Sequence, residues 1–107
     1  MDLTKKHCVP CEGGVSPLKA DEIARYAAEL KTKWDVINEK KLRREFKFKD
    51  FKQAMAFVNK VAGVAESEGH HPDIFISYNR VVIELWTHAI KGLSENDFIV
   101  ARKIELI

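Results

Sequence analysis

The sequence predicts an α+β domain, a four-stranded antiparallel sheet with three helices packed on one face, in the order α-β-β-α-β-β-α. Three observations carry this expectation. Apolar residues recur at helical spacing in three separated stretches, two stretches between them have the alternation and turn chemistry of hairpins, and 107 residues suffice for one domain. A composition of 46% hydrophobic and 32% charged residues, with three prolines and five glycines, suits a compact fold and excludes a disordered or collagen-like chain.

Residues 1–16 read as a tail, because Pro10, Gly13, Gly14 and Pro17 interrupt any period. A single domain is expected over 17–107. Its first helix begins at Ala20, with Ile23, Tyr26, Ala27 and Leu30 at helical spacing and Asp21 and Glu22 complementing the dipole of the first turn. It is expected to end near Lys33. Trp34 to Ile37, a polar turn at Asn38-Glu39-Lys40, and alternating Leu42, Arg44, Phe46 and Phe48 then form a hairpin whose inward face only Arg44 interrupts.

Asp50 is placed to cap a second helix whose stripe is Phe51, Ala54, Met55, Val58, Val61, Ala62 and Ala65, ending at about Glu68 before Gly69. Pro72 opens a second hairpin, Asp73 to Tyr78 and Val81 to Thr87, with its turn at Asn79-Arg80. Ser94 starts the last helix. Asp97 stands three residues on, as in a capping box, and Leu93 and Phe98 occupy the positions of a hydrophobic staple. One helical layer on four strands leaves sheet edges uncovered, so self-association is expected.

Eighteen basic against sixteen acidic residues leave a net charge of +2, which names no partner. Lys40, Lys41, Arg43, Arg44, Lys47 and Lys49 surround Phe46 and Phe48, a pattern that could track a nucleic-acid backbone but reads better as a solvated strand face. Nucleic acid is therefore not an expected partner. Neither a signal peptide nor an apolar run long enough to span a bilayer is present, and two nearby cysteines make no disulfide framework, so a cytoplasmic protein is expected. Cys8-x-x-Cys11 with His7 falls short of the four ligands of a closed zinc site, and reduced thiols or an accidental disulfide are expected.

The chemistry concentrates in three histidines. Pairing the second hairpin brings Pro72 and Thr87 together, so His70, His71 and His88 share one rim. Imidazoles, with pKa values of about 6.5, can give or take a proton at neutral pH, and several on one cavity suit an elimination that needs both acid and base. Glu66, one helical turn before His70, could orient it or be solvated. Asp97 could cap the last helix or hold His88. A zinc site built from these groups would be expected to show a helical pair such as His-Glu-x-x-His, which is lacking, so no metal is expected. Trp34 reads as core, with a place at the pocket border as its other reading.

The spacing from Glu66 through His70-His71-Pro72, Tyr78 and His88 to Asp97 resembles the signature of the pterin-4a-carbinolamine dehydratases. The resemblance extends over roughly Pro17 to Ile107 and includes Phe46-Lys47-Phe48-Lys49-Asp50-Phe51, Tyr78-Asn79-Arg80-Val81 and Gly92-Leu93-Ser94. Cys8 to Gly14 looks like a tail found on a subset of these proteins. The resemblance implies dehydration of 4a-hydroxytetrahydropterin to quinonoid dihydropterin in tetrahydrobiopterin recycling, after an aromatic amino acid hydroxylase, with no cofactor. It further implies that His70 and His88 are the acid-base pair, that His71 holds the substrate, and that Gly69, Trp86, Thr87 and Ala89 contribute to the pocket. Trp86 stands where many relatives have a smaller residue, which leaves substrate preference open. A homodimer or homotetramer is implied. The rival reading is a protein-binding module, since some relatives act as dimerisation cofactors for a transcription factor.

Overall fold

The computed structural model describes residues 2–9 and 16–107. Three helices, α1 (Ala20–Ala27), α2 (Phe51–Glu68) and α3 (Glu95–Ile104), accompany strands β1 (Asp35–Ile37), β2 (Lys41–Lys47), β3 (Asp73–Ser77) and β4 (Arg80–Leu85). Short 3₁₀ turns occupy Leu3–Lys5 and His88–Ile90. The strands form one antiparallel sheet in the order β1-β2-β4-β3, so the chain has the α+β architecture and element order expected from the sequence.

Register fixes which side chains face the helices. Leu42 lies opposite Leu85, Arg44 opposite Ile83 and Phe46 opposite Val81. Leu42, Val81, Ile83 and Leu85 are fully buried against Ala54, Val58 and Val61 of α2 and Phe98, Ile99, Ala101 and Ile104 of α3. Each large apolar side chain so buried contributes about 2 kcal/mol. Arg44 keeps its place on this face by laying its guanidinium 4.4 Å from the Phe46 ring centroid and 5.9 Å from that of Trp34. The stem is covered while the head reaches the Thr32 hydroxyl. On the opposite face, Lys41 and Arg43 pair with Glu84 and Arg80 pairs with Glu45, so part of the cationic cluster is matched by carboxylates on neighbouring strands.

Several boundaries differ from expectation. Helix α1 stops at Ala27 rather than near Lys33, because Glu105, just beyond α3, accepts the N–H groups of Lys31 (2.9 Å) and Thr32 (2.8 Å) and the indole N–H of Trp34 (3.2 Å). Trp34 is thereby fixed in the core. The second hairpin turns at Tyr78-Asn79, one residue earlier than expected, with Tyr78 at φ 51° and Ser77 opposite Arg80. In α2 the buried stripe is Ala54, Val58, Val61 and Ala65, while Phe51 and Ala62 face outward. Phe57 packs instead, 4.6 Å from Phe46 and 5.0 Å from Phe48 between centroids.

Both ends of α2 follow the expected capping. Asp50 accepts the Gln53 N–H at 2.9 Å, and Gly69, at φ 64°, reverses the chain with its own N–H on Glu66 O and that of His70 on Ala65 O. Residues 2–9 lie along α3 and the end of α2, with Leu3 only 2% exposed in the core. Cys11, the second member of the Cys-x-x-Cys pair, falls outside the described residues.

Candidate active site

The left-handed Gly69 is what aims the two adjacent histidines. By ending α2 abruptly it sends His70 inward toward α3 and leaves His71 beside the last turn of α2. His70 donates its Nε2–H to Asp97 Oδ1 at 2.6 Å, and its side chain is 12% exposed against a fully buried carboxylate. His71 donates Nε2–H to Glu66 Oε1, also at 2.6 Å, with both side chains well exposed. Two expectations are corrected here. Glu66 orients His71 and not His70, because the chain reversal carries His70 away from its own helix. Asp97 holds His70 and not His88, because His88 sits on the 3₁₀ turn with its ring stacked on Trp86.

Asp97 serves the helix and the histidine together. Its Oδ2 accepts the Ser94 N–H at 3.0 Å, the reciprocal bond of a capping box, and the Thr87 hydroxyl at 2.9 Å, while Oδ1 faces His70. The Ser94 hydroxyl completes the chain by donating to Thr87 Oγ1 at 2.7 Å. Three donors thus converge on a carboxylate that water does not reach. With Nε2–H committed to that carboxylate, Nδ1 of His70 is the ring atom left for proton transfer.

The third imidazole is placed by different means. Thr87 and Gly92 exchange backbone hydrogen bonds, Thr87 N–H to Gly92 O at 2.8 Å and Gly92 N–H to Thr87 O at 3.4 Å, which pinches off a short loop carrying His88. Lys91 turns that loop at φ 53°. The His88 ring stacks on Trp86, 3.8 Å between centroids at 25°. Trp86 is in turn fixed by its indole N–H on Asp73 Oδ2 at 3.1 Å, with the Lys41 ammonium 5.2 Å from the ring.

These elements enclose an open cleft of about 450 Å³, lined by Gly69, His70, His71, Pro72, Asp73, Trp86, Thr87, His88 and Ala89. All three histidines and the four pocket residues expected from the sequence therefore meet at one place. Asp73 and Ser94 are additions. Asp73 follows His-His-Pro directly, and a carboxylate opening a strand beside a histidine pair was the signal that could have found it. Trp34 does not line the cleft. Chemically, three imidazoles on one solvent-open cleft, two of them held by carboxylates, can deliver one proton and accept another within the same bound molecule.

The family model described as pterin 4 alpha carbinolamine dehydratase matches residues 16–107. A relative from Alkaliphilus metalliredigens, provisionally named a pterin-4-alpha-carbinolamine dehydratase, is 50% identical over 97% of this chain and 94% of its own length. One from Rickettsia bellii with the same provisional name is 49% identical over 98% and 93%. A crystal structure from Brucella melitensis, described as a transcriptional coactivator/pterin dehydratase, superposes with a TM-score of 0.78 at 36% identity, covering 85% of this chain and 97% of that one. A pterin dehydratase-like protein identified as a RuBisCO assembly factor in the alpha-carboxysome shares the fold, with a TM-score of 0.60 at 23% identity over 71% and 89%.

Proposed function

This chain belongs to the pterin 4 alpha carbinolamine dehydratase family, and from that premise we propose that it is a hydro-lyase converting 4a-hydroxytetrahydropterin to quinonoid dihydropterin. The observation that carries the proposal is the convergence of His70, His71 and His88 on one cleft, with His70 locked to the buried Asp97. Loss of water from the substrate breaks the C4a–O bond and the N5–H bond and forms a C4a=N5 double bond. One imidazolium gives its proton to the departing hydroxyl, a neutral imidazole takes the N5 proton, and exchange with solvent restores both.

His70 and His88 are the acid-base pair in this reading. His70 acts through Nδ1, because Nε2 is engaged, and Asp97 stabilises the charged ring when it holds two protons. His71 and the indole of Trp86 hold the pterin, a flat ring with polar edges suited to one aromatic wall and one hydrogen-bonding histidine. Gly69, Thr87 and Ala89 shape the floor and rim. The same reading places the enzyme in the cytoplasm, in recycling of the pterin used by an aromatic amino acid hydroxylase. Self-association is supported by edge strand β3, where Phe75 and Ile76 are exposed.

The test is direct dehydration of enzymatically generated 4a-hydroxytetrahydropterin, followed by absorbance against the uncatalysed rate. Wild type should accelerate it, and the double substitution of His70 and His88 to alanine should abolish the acceleration with the fold intact. A double variant as fast as wild type would refute the assignment. The binding-module reading is favoured by the coactivator description of the Brucella melitensis relative. A tight protein partner retained after histidine substitution, together with no rate acceleration by wild type, would decide for it.

A further inference from the structure

His70 separates two cavities. One is the cleft it shares with His71 and His88; behind it lies a second, of about 390 Å³, walled by Cys8 and Val9 of the N-terminal segment, by Glu66 to Gly69, and by Asn96. The segment is held there by backbone and side chain alike, and the Cys8 thiol itself donates to Asn96 O at 3.6 Å. Val9 N–H donates to Asn96 Oδ1 at 3.1 Å, and the Asn96 amide donates back to Val9 O at 2.7 Å, so one side chain reads both polar groups of a single residue. Cys8 N–H donates to Glu68 Oε1 at 2.8 Å, while Glu68 Oε2 accepts from Lys103 at 2.9 Å and lies 3.2 Å from His7 Nδ1. Lys6 pairs with Glu95 at 3.0 Å, and Leu3 anchors the start in the core.

The two clamping residues have telling neighbours. Asn96 precedes Asp97 on α3, and Glu68 stands two residues before His70 at the end of α2. The segment therefore bridges the very two elements whose separation sets the 2.6 Å His70 to Asp97 contact. The family match begins at residue 16, so this strap lies outside the part of the chain that the family model describes.

We propose that the N-terminal strap, clamped by Asn96 and Glu68, fixes the end of α2 against α3 and so holds His70 in register with Asp97. Asn96 and Glu68 are positioning residues, acting through the strap on His70 without touching substrate. This inference rests on the dehydratase reading for its kinetic arm and on geometry for the rest. The Cys8 thiol supplies a reporter of docking: burial, and then the Glu68 carboxylate, push its pKa up to about 12, so a docked thiol reacts slowly.

The experiment compares wild type, Asn96→Ala, Asn96→Asp and Val9→Pro, all carrying Cys11→Ser so that Cys8 alone reports. Val9→Pro removes the N–H that Asn96 accepts and leaves α3 untouched. Three quantities are measured: the rate of Cys8 labelling by a thiol reagent, kcat and KM for dehydration, and the side-chain nitrogen resonances of His70. Undocking should raise labelling about 10-fold and lower kcat about 10-fold with KM changed less than about twofold, because a small misplacement of an acid-base group is costly while the cleft walls stay in place. Asn96→Asp, which keeps the acceptor for Val9 N–H, should fall between. His70 resonances should shift in Asn96→Ala and Val9→Pro alike. Faster labelling with unchanged kcat and unchanged His70 resonances would overturn the proposal, as would labelling unchanged in both variants. If wild type fails to accelerate dehydration, the dehydratase reading fails, and the His70 resonances still decide whether the strap positions that ring.

Discussion

His70 and Asp97 are 27 positions apart in the chain and 2.6 Å apart in space, and the carboxylate that receives the imidazole is also the one that caps α3. Removing that group therefore removes a helix cap and the partner of a reactive ring at once. Because Oδ1 and Oδ2 divide the duties, the two contributions can still be separated by substitution.

Asp97→Ala removes both, together with the acceptor of the Thr87 hydroxyl, and leaves His70 beside an unfilled buried site. It should lower unfolding stability by about 3 kcal/mol. Asp97→Asn removes the charge, and when its single oxygen keeps the Ser94 N–H its NH2 group faces His70 as a second donor. Its stability loss should be smaller, while kcat falls roughly 100-fold, the low end of what a positioned acid or base supplies. Urea unfolding and dehydration kinetics on the same preparations check both expectations.

Trp86 holds His88 by stacking and is itself held by Asp73. Trp86→Ala should leave global stability within about 1 kcal/mol, the scale of one aromatic pair. His88 would then lose its orienting surface and the cleft one wall, so kcat should fall and KM rise together. Trp86→Phe keeps the ring face but loses the bond to Asp73, and should show the KM change in weaker form. A Trp86→Ala enzyme with wild-type kcat and KM would remove the stacking arrangement from the mechanism.

How far the sequence discloses this site depends on which interactions are local. The helix stripes, the caps at Asp50 and Gly69 and the strand alternation are set within a few residues of chain, and the structure shows them close to where they were expected. Gathering His70, His71 and His88 onto one rim required only the pairing of one hairpin. Which partner each histidine takes is less legible: Asp97 reaches His70 only through the way α3 lies across α2, which is tertiary, while Glu66 meets His71 through the direction the chain takes after Gly69. For the same reason α1 ends earlier than its apolar spacing indicates: that spacing continues through Leu30, but Glu105 from the far end of the chain captures the following N–H groups. The strap was invisible, since backbone bonds to Asn96 and Glu68 leave no apolar pattern behind.

Gly92 tests the loop that presents His88. A Cβ there would meet Pro17 Cβ at 2.7 Å and Pro17 Cγ at 3.1 Å, and a proline ring has little freedom to withdraw. Gly92→Ala should therefore destabilise the fold by about 1–3 kcal/mol, the range for overpacking. Because Gly92 is paired with Thr87, the displacement reaches His88, so kcat should drop at temperatures where the variant is still fully folded. Circular dichroism melts that locate the midpoint of the variant, alongside kinetics at a temperature within its folded baseline, separate the two effects.

Glu68 sets the acid limit of the strap. Burial raises its pKa, but the hydrogen bonds from Cys8 N–H, Lys103 and His7 outweigh that and bring the carboxyl down from 4.5 to about 2. A group depressed on folding contributes stability that is fully present above its unfolded value and disappears as pH falls through the folded one. Strap docking should accordingly be insensitive to pH from neutrality to about 4.5 as far as Glu68 is concerned, and weaken progressively between 4.5 and 2. Glu68→Gln keeps an oxygen for Cys8 N–H but loses the charge that Lys103 and His7 face, so its docking should be weaker at pH 7 and show less of the acid dependence. Proteolysis after Lys5 and Lys6 by trypsin at neutral pH, and hydrogen exchange at Cys8 and Val9 across the acid range, provide the measurements. Equal acid dependence in wild type and Glu68→Gln would show that another group controls the strap.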